Sequence, residues 1–363
     1  RICLEETRRY VRKYLETCEA IYDEKETERL AAGCTNVTRG MTRQVGELTI
    51  IPDGYDVYDF TPTDRPQGAS DFPPTHFDCN DFRKTLPTIN ILSNDTLTLF
   101  KRLEDATGVK ISDVPTDDPL VYQLFTSTEP LGLSENIGVQ CGTLGIPEFG
   151  TEFVMKIMRE AQPKTFSDIV KISGFAHGTG VWIDNARELI KNGVALSEVI
   201  AVRDDVMLYL IRKGFAPLTA YNIGEMTRTG NAAQMFDDDL YKEFREHDVP
   251  DWFAESCKKI RYIFPKAHAV VYSEAAVKLA WFKLHFPSEF YAAVLEKYAC
   301  DLERGVIEKG LAAIKVRVEE LRKSTGNDDG IGERNRLYAY LLVWELMSRG
   351  IKMPEIISSL CTN

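Results

Sequence analysis

The sequence predicts an α+β protein: a small mixed α/β segment first, then a mostly α-helical remainder. Three observations predict it. Short β-type runs, at residues 48–51, 55–60 and 88–92, occur in the first hundred residues, the first closed by Pro52 and Asp53-Gly54. From Thr116 onward, apolar residues recur at helical spacing between capping residues. Finally, an Ala/Val/Leu-rich stretch lies between Pro265 and Pro287, which sets sharp bounds for a helix over residues 266–286.

Taken in order, residues 2–31 carry Val11, Tyr14, Leu15, Cys18, Ile21 and Tyr22 on one helical face, with charges on the other. A second short helix over 24–32 is ended by Gly33. Residues 61–75 gather Pro62, Pro66, Pro73 and Pro74 with Gly68 and Ser70, a loop composition. Helical segments follow at 97–107 and at 120–125, the latter opened by Thr116-Asp117-Asp118-Pro119. Further helices are expected over 152–161, 165–173, 185–192 and 206–213, the last ended by Gly214. Asp237-Asp238-Asp239 is a single-sign run, read as a solvated turn and not as a metal site. Two amphipathic helices, about 303–323 and 333–349, close the chain, separated by Asn327-Asp328-Asp329-Gly330.

Charge singles out one region. The chain carries a net charge of -11, yet from Lys258 to Lys283 there are six Lys/Arg and one acid, Glu274. A helix N-terminus presents unpaired N–H groups and a positive dipole end. With Lys266 and His268 beside it, the start of the 266–286 helix suits a phosphate group. A buried helix with a solvated basic collar accounts for the same residues. The acidic total argues against nucleic-acid binding by net charge alone, although a basic cleft is compatible with it. No run approaches the ~18 apolar residues of a membrane span. The eight cysteines show no C-x-x-C spacing, which argues against zinc, and read as reduced thiols of a cytoplasmic protein. The start, Arg1-Ile2-Cys3, has neither Met nor a signal-peptide pattern and is expected of an excised or truncated piece.

Lys258-Lys259-Ile260-Arg261-Tyr262, Phe264-Pro265-Lys266-Ala267-His268-Ala269 and Trp281-Phe282-Lys283-Leu284-His285-Phe286-Pro287 together resemble the fingers of a C-family bacterial replicative DNA polymerase of the PolC type, the DNA polymerase III alpha form. Gly142 through Thr151, His177-Gly178-Thr179 and Arg203-Asp204-Asp205 are similar to other fingers motifs. Tyr58-Asp59-Phe60-Thr61-Pro62 and Thr75-His76-Phe77-Asp78 are similar to the second half of the palm. The resemblance implies three segments: a partial palm-like domain at 1–115 lacking the Asp-x-Asp segment, a helical fingers-like domain at 116–300 and outer fingers helices at 301–363. It implies DNA-directed nucleotidyl transfer in DNA replication, with primer-template DNA and deoxynucleoside triphosphates as partners. It implies Mg2+ as cofactor, since three carboxylates in such enzymes hold two divalent ions.

Departures from the pattern cluster in the palm. The family's third carboxylate position is Asn90 here, and an amide ligates a hard cation poorly. The only Asp-x-Asp is Asp237 to Asp239, far along the chain; the family's pair is expected before Arg1. Arg43-Gln44-Val45-Gly46-Glu47 stands where the family has Gln-His-Pro-Gly-Gly, and Gly180 stands where it has Asp. No catalytic carboxylate is therefore expected intact and no tight metal binding by this chain; it is expected to bind nucleotide or DNA without polymerising alone. The alternatives are half of a split enzyme completed by another chain, and a scaffold for replication-protein contacts.

The nucleotide-pocket candidates are His177, Arg203, Lys266 and His268. Arg203 suits a fork-like phosphate contact, or else an ion pair with Asp204 or Asp205. His268 suits the helix end, or else a core histidine held by a carbonyl. Lys258, Lys259 and Arg261 are the candidates for DNA phosphates. Tyr262, Phe264 and Tyr272 suit base stacking or ordinary core packing.

Overall fold

The computed structural model describes residues 8, 12, 25, 27–29, 32, 47–62, 75, 85–90, 94–324 and 331–354. The expectations for helices over 2–31 and 24–32 and for the loops at 43–46, 61–75 and 327–330 fall wholly or mainly outside those residues. The chain divides into two compact units, Arg1–Asn94 and Asp95–Asn363.

In the first unit, β1 (Glu47–Thr49) pairs antiparallel with β2 (Thr88–Asn90), placing Glu47 opposite Asn90. Residues 55–60, expected to be a strand, instead hold a 3-10 turn, Val57–Asp59. The Asp56 carboxylate accepts from Tyr58 N, and the Asp59 carboxylate accepts from Asp56 N. These reciprocal bonds satisfy the turn's own N–H groups, which gives the run a local alternative to a strand.

The second unit is helical and begins well before Thr116. Its first helix, α1 (Asp95–Thr107), buries Leu99 and Leu103 in the same core that takes Val114 and the later helices. Residues 95–115 therefore pack with the helical unit. Next come α2 (Pro119–Leu124), whose cap is Asp118 accepting from Leu120 N, and α3 (Glu152–Ala161), capped by Thr151. The helix α4 (Phe166–His177) is opened by a reciprocal Thr165–Asp168 box and runs past its expected end at 173. Gly174 lets it continue against a neighbouring strip: a Cβ there would sit 2.3 Å from the Ala201 carbonyl oxygen.

After a distorted turn, Trp182–Ala186, the chain forms α5 (Arg187–Lys191) and α6 (Arg203–Arg212). Arg203-Asp204-Asp205 thus lies in the first turn of α6 and not ahead of it. Among the helices that had not been expected are α7 (Pro217–Arg228), with proline at its start, and α10 (Asp251–Lys259). Between them lie α8 (Ala232–Met235) and α9 (Asp238–Glu246). Asp237 caps α9 by accepting from Leu240 N, so the Asp237–Asp239 run is a helix start rather than a turn. Acids there complement the helix dipole.

The longest described helix, α11 (Lys266–His285), matches its expectation closely, and Pro287 opens α12 (Pro287–Leu295) directly behind it. The expected 303–323 helix is divided at Gly310, whose φ is 77°, into α13 (Arg304–Glu308) and α14 (Leu311–Ser324). The final described helix is α15 (Ile331–Ser348). One continuous hydrophobic core runs through this unit. Phe125, Phe149, Phe175, Phe253, Phe282 and Phe290 are among its largest fully buried side chains. Burial of each contributes about 1.5–3 kcal/mol.

Lys283 is no part of a solvated collar. Its ammonium is fully buried, 2.5 Å from Glu345 Oε1, and it donates to the carbonyls of Gly142 and Leu144 at 2.8 and 2.7 Å. Tyr291 OH donates to the same Glu345 oxygen at 2.6 Å, and Arg349 Nη1 donates to the Lys283 carbonyl. Among the described residues, no helix is long and apolar enough to cross a membrane. Cys141 and Cys257 are buried free thiols, which burial pushes up to about 12.

Candidate functional site

Three helix ends converge on the extended segment 260–265. The first is the C-terminus of α4. Beyond His177, Thr179 N donates to the Tyr262 carbonyl at 2.8 Å and Arg261 N donates to the Thr179 carbonyl at 2.9 Å. Gly180 makes this approach possible: its φ is 73°, and a Cβ would lie 2.2 Å from the Lys259 carbonyl oxygen. The buried Asn185 amide locks the turn by donating to the carbonyls of Gly180 and Ser256.

The second is the N-terminus of α6. Val202 pairs with Phe264 in a parallel bridge, and Arg203 N donates to the Phe264 carbonyl at 3.2 Å. The third is the N-terminus of α11, where Lys266 N donates to Asp204 Oδ2 at 3.3 Å. Val170, Val202 and Ala269 form a small buried floor beneath, with Phe264 packed on it.

On this floor stands a stack of rings. The His177 imidazole lies 4.6 Å from the Phe264 ring and 5.7 Å from the Tyr272 ring, nearly parallel to both. His268 meets Phe264 edge-on at 5.8 Å. Tyr262 is exposed, and Phe264 and Tyr272 are half-buried, so none of the three is core. His268 is also exposed, which removes the core-histidine alternative.

The four pocket candidates therefore surround one segment. Two of their side chains, those of His177 and Arg203, have an acidic partner. His177 Nε2 lies 3.1 Å from Glu148 Oε2 and Nδ1 lies 2.8 Å from the Ser173 carbonyl. The Glu148 contact, opposed by burial, raises His177 above the usual histidine value, and the same contact lowers Glu148. Arg203 reaches Glu225 Oε1 at 3.2 Å, with Asp204 farther off at 3.9 Å. Glu225 also accepts from Arg228 Nε at 2.8 Å. Burial alone would raise the Glu225 carboxyl, but the two arginines outweigh it and lower it. Asp205 is not Arg203's partner. It accepts from Lys171 Nζ at 3.0 Å and from Ala201 N and Val202 N.

Sequence reasoning missed Glu148, Glu225 and Arg228. The signals for the last two were Pro217 as a helix start and a Glu/Arg pair at i,i+3 spacing. Of the DNA candidates, Lys258 pairs with Glu255 at 2.9 Å and sits over the Tyr241 ring. Lys259 Nζ donates to the Asp184 carbonyl at 2.8 Å, and Arg261 is exposed.

The described residues contain no group of three or more His, Cys, Asp or Glu able to hold a metal ion, and β2 ends in the amide Asn90.

A family described as the bacterial DNA polymerase III alpha subunit finger domain matches residues 93–247. The chain is 40% identical over 351 residues to the PolC-type DNA polymerase III of Oceanobacillus iheyensis, covering 96% of this chain and 24% of that protein. It is 41% identical over 335 residues to that of Bacillus subtilis, 91% of this chain and 23% of that protein. With that of Lactococcus lactis the figures are 41% over 354 residues, 96% and 22%. The chain thus spans about a quarter of the length of these relatives. The finger-domain match and these identities mark the chain as a portion of a C-family bacterial replicative DNA polymerase. Within that class, the chain belongs to the PolC-type DNA polymerase III family.

Proposed function

We propose that this chain supplies the nucleotide-gripping fingers of a replicative polymerase relative, with the residues ahead of them acting as the second half of a palm. The observation that carries this reading is the convergence of His177, Arg203, Lys266 and His268 on the segment 260–265. These four groups face the triphosphate of an incoming deoxynucleotide. Arg203 supplies a planar fork and Lys266 a point charge, and the α11 N-terminus adds its dipole. The Phe264 and Tyr272 rings support the nucleotide from below. Lys258, Lys259 and Arg261 meet phosphates of primer-template DNA.

With Asn90 at the third carboxylate position, this chain binds substrate without joining it to a primer. Two-metal transfer needs charged oxygens on both ions, and an amide brings none. The chain should bind dATP, and Arg203→Ala with Lys266→Ala should weaken that binding by at least tenfold. Unchanged affinity would remove the pocket assignment. Primer extension with Mg2+ tests the other half: robust incorporation by this chain alone would overturn the non-polymerising reading.

A further inference from the structure

Both nitrogens of the His177 ring rest on acceptors, Nδ1 on the Ser173 carbonyl and Nε2 on the Glu148 carboxylate. A neutral imidazole carries one N–H, so it would meet one of those oxygens lone pair to lone pair. Only the imidazolium satisfies both. Its ring lies nearly parallel to Phe264 and Tyr272, an arrangement that favours a cation over a neutral ring. Glu148 reaches this contact from a φ of 64°, a left-handed conformation that few residues other than glycine adopt. A backbone held there points to a side chain whose place matters.

The groups around the ring can be named. From its own helix comes the Ser173 carbonyl, from the 145–151 loop Glu148, and from α11 the Tyr272 phenol, with His268 behind Phe264. The nearby carboxylates of Asp204 and Glu225 are engaged with Lys266 N and with Arg203 and Arg228. Glu148 is the one acid bonded to His177 among the described residues.

We infer that Glu148 is a positioning residue of the nucleotide site: it holds His177 as an imidazolium, flat against Phe264 and Tyr272, and so fixes a positive charge beside a nucleoside triphosphate. This rests on the assignment of His177 to the nucleotide pocket. An ordinary histidine in water is mostly neutral above pH 7, and a neutral ring offers a phosphate no charge. Glu148 touches neither nucleotide nor primer and acts through the histidine alone.

The test uses the full chain with dATP and Mg2+, followed by calorimetry from pH 6 to 9, alongside NMR titration of the His177 ring. Wild type should bind dATP well below the His177 midpoint and about tenfold more weakly above it, the loss expected of one charge-assisted contact. In Glu148→Gln, the NMR midpoint and the fall in affinity should move together to lower pH. Glu148→Asp, which keeps the charge, should retain a midpoint above the ordinary histidine range. Titration of dATP itself is common to all variants and cancels. A His177 midpoint unmoved in Glu148→Gln, or an affinity step that does not follow it, overturns the inference. If His177→Ala keeps both the step and wild-type affinity, the pocket assignment fails instead.

Discussion

Replacing Lys283 by Met tests whether the α11–α15 junction is held by a buried charge network. The ammonium is fully buried, with Glu345 Oε1 and the carbonyls of Gly142 and Leu144 as its three acceptors. Methionine fills similar volume but donates nothing. Glu345 is then left as a buried carboxylate with Tyr291 OH as its remaining described donor, while its Oε2 already has none. Breaking such a pair on one side costs about 3–5 kcal/mol. Removing both charges in Lys283→Met/Glu345→Leu should cost far less, since desolvation of the two ions disappears along with their attraction.

The pH dependence has a definite sign. Burial is the largest influence on Lys283 and lowers it from 10.5 to about 8, against the attraction of Glu345. Between about pH 8 and 10.5 the unfolded chain binds more protons than the folded one, so this group makes stability rise with pH in that window. The double variant should lack that rise. Urea unfolding followed by circular dichroism measures both effects. A single variant within about 1 kcal/mol of wild type, or a double variant no more stable than the single, would refute the reasoning.

Other outcomes follow from the same geometry. Gly180→Ala forces a Cβ to within 2.2 Å of the Lys259 carbonyl oxygen at a φ of 73°; it should lower stability by about 1–3 kcal/mol and weaken dATP binding with it, read by urea unfolding and calorimetry. Asp118→Ala removes the α2 cap and a 2.8 Å contact to His285, for a loss of about 1 kcal/mol in the same unfolding assay. The Glu148–His177 pair should stabilise the fold in a bounded window. Glu148's share is lost as pH falls through its lowered folded value, and His177's share is lost as pH rises through its raised one; Glu148→Gln should flatten the difference at both edges. If Lys258, Lys259 and Arg261 meet DNA phosphates, each alanine substitution should lower the salt slope of DNA affinity by about 0.9, measured by fluorescence anisotropy from low to moderate salt.

How legible these features were depended on how local their causes are. The bounds of α11 could be read because Pro265 and Pro287 act on their immediate neighbours. Thr151, Thr165 and Asp118 likewise cap helices within three residues of themselves. Lys283 could not be read correctly. It stands in a basic run, and its burial is decided by Glu345, more than sixty positions later on a different helix. The α7 helix was hidden because Thr219, Asn222 and Gly224 interrupt its apolar pattern, while Ala220 and Ile223 are buried by tertiary contact. For the site, the cations were legible by type and by likeness to the family. Their acidic partners Glu148 and Glu225 were not, because each sits on a loop or helix whose placement only the fold determines.

The proposed gripping of a triphosphate by the ends of α4, α6 and α11 is tested most directly by photolabelling the full chain with 8-azido-dATP and mapping the modified peptides. The label should fall within residues 173–182, 202–206 and 260–272, and excess unlabelled dATP should abolish it. Labelling elsewhere in the chain, or labelling that dATP does not compete away, would contradict it.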